Sequence, residues 1–96
     1  MTLVRSKKIM KSARGKACTL RLVGICNFDP ETTVAAHVGL RRGMGIKAGD
    51  NMVVYACSAC HAEIDRCGRE AYAADKLRGV EETQESFVEE GILTFA

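Results

Sequence analysis

Between Ala17 and Val23 the apolar residues Cys18, Leu20 and Leu22 alternate with Thr19 and Arg21, the period of two that predicts a half-buried strand. Gly24 breaks the alternation, and Cys26 follows in a turn-rich stretch that ends at Asp29-Pro30. Thr32 to Val38 is β-branched and apolar enough for a second strand, with His37 near its end. Residues 39–50 hold four of the nine glycines together with Arg41, Arg42 and Lys47, a flexible basic loop. Met52 to Ala56 is a short apolar run suited to a third strand that feeds into Cys57. Helical composition runs from Cys60 to Arg66, is interrupted at Gly68, resumes from Arg69 to Arg78 and ends at Gly79. A last helix, Val80 to Glu90, aligns Val80, Gln84, Phe87 and Val88 at three- and four-residue spacing, with Gly91 as its C-terminal cap. The two C-terminal segments read as packing elements with Glu-rich outer faces. Early strands and later helices predict the α+β class.

Composition sharpens that picture. Ninety-six residues make one domain with a modest core, and three Phe, two Tyr and no Trp leave it short of bulk, so a structural metal would help. No apolar run approaches a membrane span and no basic-then-apolar export signal opens the chain, so the expectation is a cytoplasmic protein with no membrane partner. Thiols stay reduced there, and five cysteines suggest metal rather than disulfides. The net charge of +2 conceals an asymmetry: residues 1–50 carry ten Lys or Arg against three acids, residues 51–96 four against nine. The first half is suited to a polyanion. Residues 1–16, with Arg5, Lys7, Lys8, Lys11, Arg14 and Lys16 and no acid, read as a basic, partly flexible arm ahead of a single domain over 17–96. The arm is either a solvated tail or a phosphate-contacting segment that orders on binding. Arg41, Arg42 and Lys47 extend the same chemistry into the glycine-rich loop.

The chemistry concentrates at Cys57-Ser58-Ala59-Cys60-His61. Two thiols at this spacing supply half of a tetrahedral zinc site, and Cys18 and Cys26 are the upstream candidates for the other half. A closed four-thiolate site is structural: it ties the start of the chain to its middle and contributes on the order of 10 kcal/mol to folding. Cys67, beside a glycine, is an ordinary free thiol. His61 and Asp65, four apart on a helix, share a face and can jointly hold a second, catalytic divalent ion. His37 is then available as a general base, against the plainer reading of a satisfied strand histidine.

The succession of a His near a strand end, a glycine-rich loop, Asp50-Asn51, a short strand and Cys57-x-x-Cys60-His61 entering a helix resembles the HNH endonucleases with the ββα-metal fold. It is similar, more closely, to the small prophage-encoded YbcO-like nucleases. The parallels are Ala13-Arg14-Gly15, Gly24-Ile25-Cys26-Asn27, Pro30-Glu31-Thr32, Ala36-His37 and the whole of Ala56 to Asp65. The resemblance implies a small zinc-stabilised ββα-metal domain with extra C-terminal helices, zinc binding and DNA cleavage. It implies His37 as the general base, His61 as the metal ligand in the helix, Asp65 as a second helical ligand and Asn51 as the residue that orients the base. Two departures stand out: Ala36 occupies the place of a common acidic or His ligand, and Asn51 lies one residue farther from Cys57 than the pattern has it, so Asp50 competes for its role.

The implied reaction is phosphodiester hydrolysis. An unperturbed imidazole titrates near pH 6.5 and can accept a proton from water at neutral pH. Mg²⁺, Mn²⁺ or another divalent ion on His61 and Asp65 would neutralise charge at the phosphate. The expected setting is phage or prophage DNA recombination or processing, with DNA, and a recombination protein, as partners. The competing class is a non-catalytic zinc-stabilised DNA-binding module, which would use the same four cysteines and the same arm but not His37, His61 or Asp65. A c-type haem site leaves Cys18 and Cys26 unexplained, and a zinc deaminase lacks its Glu after His37.

Overall fold

A computed structural model of the chain describes residues 3–41 and 47–94. Arg42, assigned above to the basic loop, lies outside the described residues. The elements are helix α1 (Lys7–Lys11), strands β1 (Val34–His37) and β2 (Val53–Ala56), and helices α2 (Ser58–Cys67) and α3 (Ala73–Glu89), with a 3₁₀ turn at Pro30–Thr32 ahead of β1. The α+β class is thus observed in a small domain with a two-stranded sheet.

The strands pair antiparallel with Val34 opposite Ala56 and His37 opposite Val53. Side chains alternate across a strand, so each face of this narrow sheet gathers its own core. On one side Ala36, Val54 and Ala56 pack with Leu20, Leu22, Ile64, Val80 and the cysteines. On the other, Val53 and Tyr55 meet Ile9 and Ala13 of the basic segment and Phe87 of α3. The Tyr55 and Phe87 rings meet edge to face, 5.9 Å apart and inclined at 77°.

Ala17 to Val23 is not a strand. Leu20 and Leu22 are buried as the alternation requires, but Arg21 adopts φ +44°, which breaks an extended run. The segment instead hangs on β2, with the Thr19 amide donating to the Tyr55 carbonyl at 2.7 Å. The Leu22 carbonyl then accepts from the amides of Ile25 and Cys26, closing the turn that carries Cys26.

Gly79 does not end a helix either, because α3 runs through it. A Cβ there would lie 2.8 Å from Val54 Cγ1, so the glycine is present for close approach of α3 to β2. At that contact the Thr83 and Thr19 hydroxyls lie 2.9 Å apart, and the Tyr55 amide donates to both. The helix ends at Glu89 with Glu90 as its cap; Gly91 follows with φ +73°, and the Ile92 amide returns to the Phe87 carbonyl at 2.8 Å. Of the stripe read from sequence, Val80 and Phe87 are buried, Gln84 is half-buried and Val88 is exposed; Lys76 and Thr83 complete the buried face.

Within the basic segment, Ser6 caps α1 by accepting from the Ile9 amide, and Ile9 and Ala13 anchor the segment to the sheet.

Candidate metal centre and catalytic cleft

The segment after β2 turns sharply at Cys57, whose extended backbone (φ −65°, ψ 166°) caps α2 and whose thiol accepts from the Cys60 amide. The turn at Leu22 to Cys26 brings the second pair of thiols against it. Ligand atoms of Cys18, Cys26, Cys57 and Cys60 all lie within 4.8 Å of one another, and the Cys57 and Cys26 sulfurs are 3.8 Å apart. A tetrahedral ion with bonds of about 2.3 Å to sulfur needs sulfurs about 3.8 Å apart, so the donor set fits zinc in number, type and spacing. The Cys18 thiol likewise accepts from the Arg21 amide at 3.4 Å. Burial pushes the Cys57 thiol up, but the amides of Asn27 and Cys60 outweigh it and bring the group to about 7. Cys60 and Cys26 are pushed up, first by burial and then by the neighbouring thiols, the repulsion expected of crowded thiolates that a cation would relieve. Cys67 stands apart, near Glu63.

The second cluster forms at the far end of the hairpin. His37 Nε2 lies 2.7 Å from Asp50 Oδ1, in the turn that begins β2. The other carboxylate oxygen accepts from the Ser6 amide at 2.6 Å, and the Arg5 guanidinium is 3.6 Å from Oδ1. Burial would push the Asp50 carboxyl up, but the bonds from His37 and Ser6 and the Arg5 charge hold it below the ordinary carboxylate value. A charged Asp50 therefore accepts the Nε2–H of His37, which leaves Nδ1 as the nitrogen able to take a proton. Asp50, and not Asn51, makes this contact; the Asn51 carbonyl accepts from Gln84 Nε2 at 2.7 Å.

His37 and Asp65 line one cleft of about 160 Å³, with Val38, Ile64, Gly68, Arg69 and Lys76. His61 and Asp65 are 3.4 Å apart on the exposed face of α2. Lys76 is buried and donates to the carbonyls of Gly68 and Arg69. Neither Arg69 nor Lys76 was among the residues that sequence singled out. The signal was Lys76 itself, a charge on the apolar stripe four residues before Val80.

Lys7, Lys8, Lys11, Arg14, Arg41 and Lys47 are exposed. Arg5 is engaged with the Lys47 and Ala48 carbonyls, at 2.7 and 2.6 Å, and Lys16 pairs with Glu90.

The family model described as "Putative nuclease YbcO" matches residues 7–92. The chain belongs to this family. It is 42% identical over 91 residues to "Putative nuclease YbcO" of Escherichia coli (strain K12), with 88% of this chain and 95% of that protein covered. The protein of the same name from Enterobacteria phage 82 matches at the same identity and coverage. A solved structure described as "Structure of a putative bacteriophage protein from Escherichia coli str. K-12 substr. MG1655" aligns with a TM-score of 0.67 and 39% identity, over 86% of this chain and 99% of that one. The YbcO match spans the four cysteines, His37, Asp50, His61 and Asp65.

Proposed function

We propose that the protein is a metal-dependent DNA endonuclease of the HNH type that hydrolyses phosphodiester bonds during phage or prophage DNA recombination or processing in the cytoplasm. The names of its relatives support a nuclease role in general, and the observation that carries the finer reading is the hydrogen-bonded His37 and Asp50 beside a cleft that Asp65 also lines. The order of strand, strand and helix with a His at the end of β1 and another at the start of α2 is consistent with the ββα-metal arrangement.

In this reading Asp50 holds the imidazole with Nε2–H directed at the carboxylate, and Nδ1 of His37 accepts a proton from the attacking water. His61 and Asp65 would hold a divalent ion, which when bound supplies neutralising charge at the scissile phosphate and the leaving oxygen. Arg69 and Lys76 add positive charge at the cleft wall. Asn51 supports the turn through its carbonyl rather than the imidazole. Zinc on Cys18, Cys26, Cys57 and Cys60 is structural, because all four positions are filled by thiolates. Lys7, Lys8, Lys11 and Arg14 meet the DNA backbone, with Arg41, Arg42 and Lys47 from the loop side.

The test is a cleavage assay on duplex, branched and single-stranded DNA with Mg²⁺ or Mn²⁺, alone and with a recombination protein. Tight binding without cleavage of any form would favour the non-catalytic zinc-stabilised module.

A further inference from the structure

Residues 4–6 and 47–50 are zipped together beside His37. The Asp50 amide donates to the Val4 carbonyl at 2.8 Å, and the Ser6 amide donates back to Asp50 Oδ2. Between them the Arg5 guanidinium spans the Ala48 and Lys47 carbonyls while standing 3.6 Å from Asp50 Oδ1. Asp50 is buried and its other oxygen holds His37. The orientation of the imidazole therefore depends on a carboxylate whose own orientation is set by the chain immediately ahead of α1. Exposed Lys7, Lys8 and Lys11 belong to that same short helix.

We propose that the basic arm positions the general base: Arg5 and the Ser6 amide fix Asp50, Asp50 fixes His37, and the segment that carries the DNA-contacting lysines thereby also aligns the proton acceptor. Arg5 is thus a positioning residue whose guanidinium braces the 47–50 turn, a task its length and two-pronged geometry suit better than a lysine's. The inference rests on the nuclease reading of His37 for its catalytic consequence, but the coupling itself is a property of the fold.

The experiment uses the full, zinc-loaded chain and the variants Arg5→Ala and Arg5→Gln, with zinc content and helical circular dichroism as controls for folding. Two readouts are taken: kcat and KM on DNA at saturation, and the ¹⁵N ring shifts of His37, assigned against His61→Ala because the chain has two histidines. A residue that only contacts phosphate changes KM. A positioning residue also lowers kcat, here on the order of tenfold to a hundredfold, as expected when a reacting group shifts by a fraction of an ångström to an ångström. The ring should pass from a single Nε2–H tautomer to a mixture. Unchanged kcat with a rise in KM alone, or a pure Nε2–H tautomer retained in both variants, overturns the proposal. Should the wild type cut no DNA, the nuclease reading fails separately, and the tautomer comparison decides whether the arm positions His37.

Discussion

His37 closes β1 and Asp50 opens the turn into β2, and their side chains meet with Nε2 2.7 Å from Oδ1. The antiparallel register accounts for the meeting. His37 lies opposite Val53, so the loop between the strands must return its last residues to the place where β1 ends. Two donors, from His37 and Ser6, and the Arg5 charge 3.6 Å away then converge on one buried carboxylate. The pair serves both the packing of the basic segment and the proposed chemistry.

That convergence has a pH signature. The folded Asp50 carboxyl lies below its ordinary value of 3.8, so its stabilisation is fully present above about pH 4 and is lost as pH falls through the lower folded value. Asp50→Asn should cost about 1.5–3 kcal/mol at pH 7, the range for a hydrogen bond to a charged group. The gap between wild type and variant should narrow below about pH 3.8, measured as the difference in Tm across pH. Acid also releases a cysteine-bound metal, so the comparison is confined to pH values at which both proteins keep zinc and helical signal, where the gap should already shrink as pH approaches 3.8. A gap that persists unchanged into acid would mean that Asp50 is not held as an anion.

Gly79 tests the packing of α3. Alanine would improve helix propensity by about 1 kcal/mol, yet its Cβ would stand 2.8 Å from Val54 Cγ1, inside van der Waals contact. Overpacking of this kind costs about 1–3 kcal/mol. Set against the propensity gain, this leaves a net cost of up to about 2 kcal/mol, so Gly79→Ala should lower Tm rather than raise it. A rise in Tm would place the helix farther from β2.

Gly79 also marks where sequence stops being legible. Its composition says helix end, since propensity is local, whereas the reason for the glycine is a strand distant in the chain. Arg21 is a similar case: the alternation finds Cys18, Leu20 and Leu22 as buried positions, but Thr19 between them is buried as well, and a positive φ at Arg21 turns the segment out of a strand. The cysteine cluster was readable because ligand chemistry demands four thiols regardless of the path between them. Asp50 against Asn51 could not be decided from spacing, since one residue of shift in a turn reverses which side chain meets the imidazole. Lys76 is hard to read from sequence because a helix with an apolar stripe reads as packing, although a lysine within the stripe must find polar partners.

The thiols lead to a prediction about folding. Metal analysis should find about one tightly held zinc per chain, and Cys57→Ser should unfold the domain, because structural zinc supplies on the order of 10 kcal/mol. Chelation at neutral pH should lower the helical signal together with zinc content. A folded, metal-free protein would make the four cysteines a reduced thiol cluster only.

The charges on α1 lead to another. Lys7, Lys8 and Lys11 are exposed, whereas Ile9 beside them is buried, so neutralising the three lysines is a cleaner change than removing the segment. The triple alanine variant should bind DNA more weakly, and the slope of log affinity against log salt should become shallower by up to about 0.9 for each phosphate of duplex DNA left without its lysine. An unaltered slope would assign these charges to solvent.

The histidines separate catalysis from architecture. In the proposed reaction His37 binds no zinc, so His37→Ala should retain the metal and the helical signal while cleavage falls by about 10²- to 10⁴-fold, the usual cost of losing a general base. His37 also lends a hydrogen bond to buried Asp50, so a modest loss of Tm is expected in addition. His61→Ala and Asp65→Ala change side chains on the exposed face of α2 and should leave stability nearly unaltered. Their effect should appear as a higher concentration of Mg²⁺ or Mn²⁺ needed for half-maximal cleavage, because the helix then loses a donor for the exchangeable ion. The three variants thus differ in kind: one loses rate at every metal concentration, two are recovered in part by more metal. If His37→Ala releases zinc or unfolds the protein, the imidazole is a structural group and the proposed nuclease has no base at this position. If added metal does not restore the His61 and Asp65 variants at all, the helical pair has a role other than holding the ion.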